Sequence, residues 1–147
     1  MPKLQEVTIL LVEDDPGHAR LIEKNLRRSK ITNSILTIAD GQQALDYGLG
    51  QGKYGGAEPA SPLLVLLDLN LPGLDGYQVL EHMKADDRTK RIPVIILTTT
   101  DDAREVARCY DLGCSVYVTK PVEYAQFAQA IHNLGLFLSV VTMPDGD

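Results

Sequence analysis

Three short runs in this chain are almost unbroken Val, Ile and Leu: Val7–Val12, Leu63–Leu67 and Val94–Leu97. A strand with one wet face alternates apolar and polar residues. Runs without alternation read instead as strands buried on both faces, which is how strands of a helix-covered parallel sheet are written. Two further runs, Ser34–Ile38 and Val116–Val118, bring the number of predicted strands to five. Helical patterns fill the intervals. The first carries Ala19, Ile22 and Leu26 at spacings of three and four, after Asp15-Pro16, an N-cap followed by proline at the first helical position. The next three open at Asp40-Gly41-Gln42-Gln43, Asp75-Gly76-Tyr77-Gln78 and Asp102-Ala103-Arg104-Glu105. Each has the form of a capping box, with Asp in place of Ser or Thr. The fourth helix stops at Leu112-Gly113, and a last one starts near Glu123 and carries Phe127, Ile131, Leu134 and Leu138. Strand and helix in repeated alternation predict a doubly wound α/β sheet.

A length of 147 residues suits one domain with a substantial core. The net charge of −6 disfavours a nucleic-acid surface, which needs clustered cations, and the short group Arg27, Arg28, Lys30 suits a helix C-terminus. No apolar stretch reaches the roughly 20 residues of a membrane span, and the first residues lack a signal-peptide core. Cys109 and Cys114 match no redox spacing and read as packing thiols of a reducing compartment. A Gly-x-Gly-x-x-Gly pattern occurs at Gly50, Gly52 and Gly55. It follows a predicted helix, whereas a dinucleotide loop must follow a strand and open a helix. His18, His82 and His132 share no metal-ligand spacing and read as helix residues.

In an open α/β sheet, ligands bind beyond the C-terminal ends of the strands. Those ends carry Glu13-Asp14-Asp15, Asp68, Thr98-Thr99-Thr100 and Thr119-Lys120-Pro121. Converging carboxylates repel one another and call for a cation. Hard oxygen ligands beside open coordination positions suit Mg²⁺ and a phosphate, and a neighbouring lysine and hydroxyl complete a phosphoryl site.

The blocks "ILLVEDD", "LLDLNLPGLDG", "IILTTT" and "VYVTKP", in that order, resemble the response-regulator receiver domain of two-component signalling. The resemblance implies a flavodoxin-like (βα)5 fold with sheet order 2-1-3-4-5. It implies that Asp68 is the phospho-accepting aspartate, that Asp14 binds Mg²⁺ directly and Glu13 through a water, and that Asn70 lends its backbone carbonyl to the metal. Lys120 would contact a phosphoryl oxygen, Thr98 would close onto the phosphate, and Tyr117 occupies the aromatic switch position. Asp15 falls outside this set and reads as a helix cap. A domain spanning 1–147, with a core from about 7 to 141, a short tail at 142–147 and no output domain, is the expected organisation. A long loop before the third strand, with "KRIPVIILTTT", "YDLGCSVYVTKP" and "LGLFLSVVTMP", is further similar to cyanobacterial phytochrome-coupled single-domain response regulators.

The implied function is a cytoplasmic signalling switch that takes a phosphoryl group from a sensor histidine kinase, of phytochrome type, and alters protein contacts. It is not an enzyme in its own right. The apolar residues Leu136, Phe137, Leu138, Val140 and Val141 serve either the core or a homodimer or kinase-docking patch. DNA and membrane partners are not expected. Two other readings remain open from the residues. A haloacid-dehalogenase-like phosphohydrolase also uses a strand-end aspartate, but wants a second aspartate two residues on, where this chain has Asn70. A receiver-like binding module that is never phosphorylated is the third.

Overall fold

A computed structural model describes residues 8–28, 33–52, 55, 63–99 and 102–119. The elements run β1 (Thr8–Val12), α1 (Pro16–Arg28), β2 (Ile35–Ile38), α2 (Gly41–Leu49), β3 (Leu63–Asp68), α3 (Gly76–Ala85), β4 (Val94–Thr98), α4 (Ala103–Asp111) and β5 (Val116–Thr119). The strands form one parallel sheet in the order β2-β1-β3-β4-β5, the order that the resemblance implied. The expected final helix lies outside the described residues.

The unbroken apolar runs do what two buried faces require. Along β3, Leu64 and Leu66 join Ile9, Leu11, Ile95 and Leu97 in one cluster, covered by Ala19, Ile22 and Leu26 of α1. The alternate residues Leu63, Val65 and Leu67 turn to the other side, with Val12, Ile96, Val79, Leu80 and Cys109. Helices therefore cover the sheet from both sides, and β3 is buried along its whole length. Each fully buried Leu or Ile of this kind contributes about 1.5–3 kcal/mol relative to an exposed one. The edge strand β2 is only half buried, and its Thr37 hydroxyl donates to Glu23 Oε2 at 2.9 Å.

The predicted caps are present. Asp15 Oδ1 accepts the amides of Gly17 and His18, and Asp40 Oδ1 those of Gln42 and Gln43. At α3 the capping box is complete: Asp75 Oδ1 accepts the Gln78 amide at 2.9 Å, and Gln78 Oε1 accepts the Asp75 amide at 3.0 Å. Asp102 accepts the Arg104 amide. Gly50 ends α2 in the left-handed region (φ 64°), its N–H bonded to the Asp46 and Tyr47 carbonyls. The first glycine of the Gly-x-Gly-x-x-Gly pattern is thus a helix terminator, in line with its rejection as a nucleotide loop. Cys109 and Cys114 are free and buried; burial pushes both thiols up, Cys114 to about 12, which keeps them protonated and unreactive. Among the described residues, no helix is long and apolar enough to cross a membrane.

Candidate functional site

The sheet order reverses between β1 and β3, because β1 connects outward to β2 while β3 leads to β4 and β5. In open α/β sheets, ligands bind at such a switch point, above the C-terminal ends of the two central strands. The residues that the sequence places at these ends are the chemically interesting ones.

The strands run further than their apolar runs. The β3–β4 ladder pairs Asp68 with Leu97, and the β4–β5 ladder pairs Thr98 with Thr119. Past β1, the Glu13 amide still donates to Ile38 O, and past β3 the Leu69 amide donates to Leu97 O. Backbone pairing of this kind holds Asp68 and Thr98 at fixed heights rather than on loose loops. Glu13 is 2% exposed, Asp68 2% and Thr98 1%, so three polar side chains are sealed into the end of the sheet. Asp14, by contrast, stands in solvent.

Carboxylate oxygens of Glu13, Asp14 and Asp68 all lie within 4.8 Å of one another. Local bonds aim them. Asp68 Oδ1 accepts the Asn70 amide at 3.2 Å, and Glu13 Oε2 accepts the Asp15 amide at 3.2 Å. Three like charges at this separation, two of them buried, are costly without a cation. Hard carboxylate donors, two buried and one facing water, fit a divalent ion that keeps some of its waters, as Mg²⁺ does. The donor set therefore fits the metal expected from the sequence.

The other described residues of the predicted set lie on β4, on β5 and on the loop after β3. Asn70 is exposed on the loop that follows β3. Thr98 ends β4, next to β3. Tyr117 pairs with Ile96 on β5 and is half-buried against the core cluster that contains Cys109 and Cys114. Lys120 lies outside the described residues. Asp15 serves as the α1 cap, separate from the cluster, and has His18 Nδ1 at 4.0 Å from Oδ2.

One contact near the site has no counterpart in the sequence reading. The Tyr77 hydroxyl donates to Glu105 Oε1 at 2.9 Å, and the Arg108 guanidinium lies 4.0 Å from the Tyr77 ring centroid. Burial and the Glu105 carboxylate together raise the Tyr77 phenol above its ordinary value. The partners are 28 residues apart, beyond the reach of helical spacing.

Comparison with known proteins agrees with this geometry. Residues 9–132 match the family model of the response regulator receiver domain. The chain is 36% identical over 137 residues to "Response regulator Rcp1" of Synechocystis sp., covering 92% of each. Among solved structures, it is similar to "Bacteriophytochrome response regulator RtBRR", with TM-score 0.84, 40% identity and coverage of 96% and 85%. It also resembles the phosphorylated cyanobacterial phytochrome response regulator RcpA (TM-score 0.76, 36% identity, coverage of 96% and 100%). The Mn²⁺-bound form of Rcp1 gives TM-score 0.75 at 35% identity, covering 95% and 99%. The four sequence blocks, the sheet order and the family match agree: the chain belongs to the response regulator receiver domain family.

Proposed function

We propose that this protein is a phosphorylation-driven switch in which Asp68 accepts a phosphoryl group from a phosphohistidine of a sensor kinase. The observation that carries the reading is the convergence of Glu13, Asp14 and Asp68 within 4.8 Å at the switch point of the sheet. The transfer breaks the P–N bond of the phosphohistidine and forms a P–O bond to an Asp68 carboxylate oxygen, and the leaving imidazole retains its electron pair and takes up a proton. A divalent ion, when bound, supplies positive charge to the phosphoryl oxygens as the bond changes hands. Asp14 and Asp68 would hold that ion directly, Glu13 would hold it through a water, and Asn70 would offer its backbone carbonyl.

The other residues position and report. The Asn70 amide, bonded to Asp68 Oδ1, orients the nucleophile. Lys120 binds a phosphoryl oxygen, Thr98 donates its hydroxyl to the new phosphate, and Tyr117 follows Thr98 inward. The names of the relatives, phytochrome response regulators among them, support a phytochrome as the kinase. The output is a changed protein contact, with the C-terminal apolar residues as a candidate homodimer face. Asn70 where a phosphohydrolase of this chemistry needs an acid argues against turnover of external substrates.

The test is incubation with acetyl phosphate, with and without Mg²⁺, read by intact mass. The wild type gains one phosphoryl group only with Mg²⁺, and Asp68→Asn gains none. A labelled Asp68→Asn variant, or an unlabelled wild type in Mg²⁺, would sink the assignment.

A further inference from the structure

Among the described helices, α4 is the most weakly seated. Its nine residues bury a single side chain, Cys109, whereas α1 and α3 bury three each. A helix held by so little apolar area opens locally at low cost unless polar contacts hold it. Two such contacts meet at one residue. Glu105 and Arg108, three apart and therefore on the same face of α4, both reach Tyr77: one accepts its hydroxyl proton and the other covers its ring.

Tyr77 is in turn fixed to the end of β3. It follows Gly76, whose N–H donates to Leu69 O at 3.1 Å. A Cβ at Gly76 would come within 2.5 Å of Asp68 O and 2.6 Å of Leu69 Cα. The first turn of α3 therefore lies directly on the backbone of Asp68, with no side chain between them to absorb movement. A shift of that backbone moves Gly76, and the next residue is the one that holds α4.

We propose that Tyr77 is the latch that seats α4, and that its grip on Glu105 and Arg108 changes with the chemical state of Asp68 through the Gly76 contact. The second half rests on the reading of Asp68 as phosphoacceptor; the first half stands on the contacts alone. This makes the Tyr77 latch a mechanical route from the site to α4, separate from Thr98 and Tyr117, and gives α4 two seatings whose balance phosphorylation sets.

Hydrogen exchange separates the two halves. In metal-free protein without any phosphodonor, Tyr77→Phe removes the charge-assisted bond and speeds exchange of the Ala107–Asp111 amides roughly tenfold, leaving β3 unchanged. Arg108→Met, which removes the ring contact instead, speeds the same amides by a smaller factor. In the wild type, Mg²⁺ with beryllofluoride alters α4 exchange at least severalfold, whereas in Tyr77→Phe it adds little. Unchanged α4 exchange in both variants overturns the latch, as does equal acceleration in β3 and α4. An equal beryllofluoride response in wild type and Tyr77→Phe overturns the coupling. If beryllofluoride leaves the Asn70–Gly76 amides of the wild type unaffected, the phosphoacceptor reading fails and the coupling falls with it. The first comparison still decides the latch.

Discussion

Two buried carboxylates and one that faces water converge at the end of the sheet, and their mutual repulsion is the residue-scale cost of having a site at all. Glu13 and Asp68 are buried, yet both lie within 4.8 Å of each other and of Asp14. The cost shows when the metal is removed. In EDTA, Asp68→Asn unfolds at higher denaturant than the wild type, since one like charge is gone while the amide oxygen still accepts from Asn70. Added Mg²⁺ reverses the ranking. At about 100 times its dissociation constant, a bound ion raises wild-type stability by about 2.7 kcal/mol, and Asp14→Ala shows no such gain. Equal denaturation curves for wild type and Asp14→Ala across a Mg²⁺ titration would remove Asp14 from the metal site. The carboxylates were legible in the sequence because each ends an apolar run. Their burial was not, because whether a strand pairs one residue past its last Leu depends on its neighbours' backbone. Glu13 illustrates this: its amide is held by Ile38 O, on a strand that the sequence places elsewhere.

Elements in this protein begin more sharply than they end. Each described helix opens on an Asp that accepts amide protons of its first turn, and α3 adds the reciprocal Gln78 bond. Asp75→Ala removes the carboxylate that accepts the Gln78 amide, leaving the backbone bond to Gln78 Oε1 in place, and costs about 1 kcal/mol in a urea titration. Gln78→Ala removes only the returning bond and costs less. A cost of Asp75→Ala no greater than that of Gln78→Ala would show that the box does not hold α3 in place. These starts were legible since a cap is a local event of four residues. The hold on α4 was not, because Tyr77 and Glu105 meet only once β3 and β4 are paired side by side. Periodicity likewise leaves the order of the strands open, and it was the family blocks that implied it.

At the scale of the whole molecule, the sheet's two covered faces make stability sensitive to alkali. Burial raises the Cys114 thiol from 9.0 to about 12 in the folded state. The folded protein then keeps the proton that the unfolded chain gives up, so this contribution is complete below pH 9 and drains away as pH rises toward 12. Cys109 and Tyr77, both raised, act in the same direction, and Lys84, lowered by burial, acts against them. Denaturant titrations at pH 8 and pH 10.5 isolate the thiol. Cys114→Ala loses less stability between the two than the wild type does; equal losses would mean that the thiol ionises as freely folded as unfolded.

The position of β1 between β2 and β3 has a consequence for synthesis. As the chain leaves the ribosome, β1 and β2 emerge first, and the other edge of β1 stays open until Leu63–Leu67 follows. During that interval Ile9, Leu10, Leu11 and Val12 present an apolar strand edge with no native partner, a ready template for wrong pairing. The nascent chain is at its most aggregation-prone before its central strand appears. A pause in translation before Leu63–Leu67 has cleared the exit tunnel would lengthen that exposure, and one after it has cleared would not.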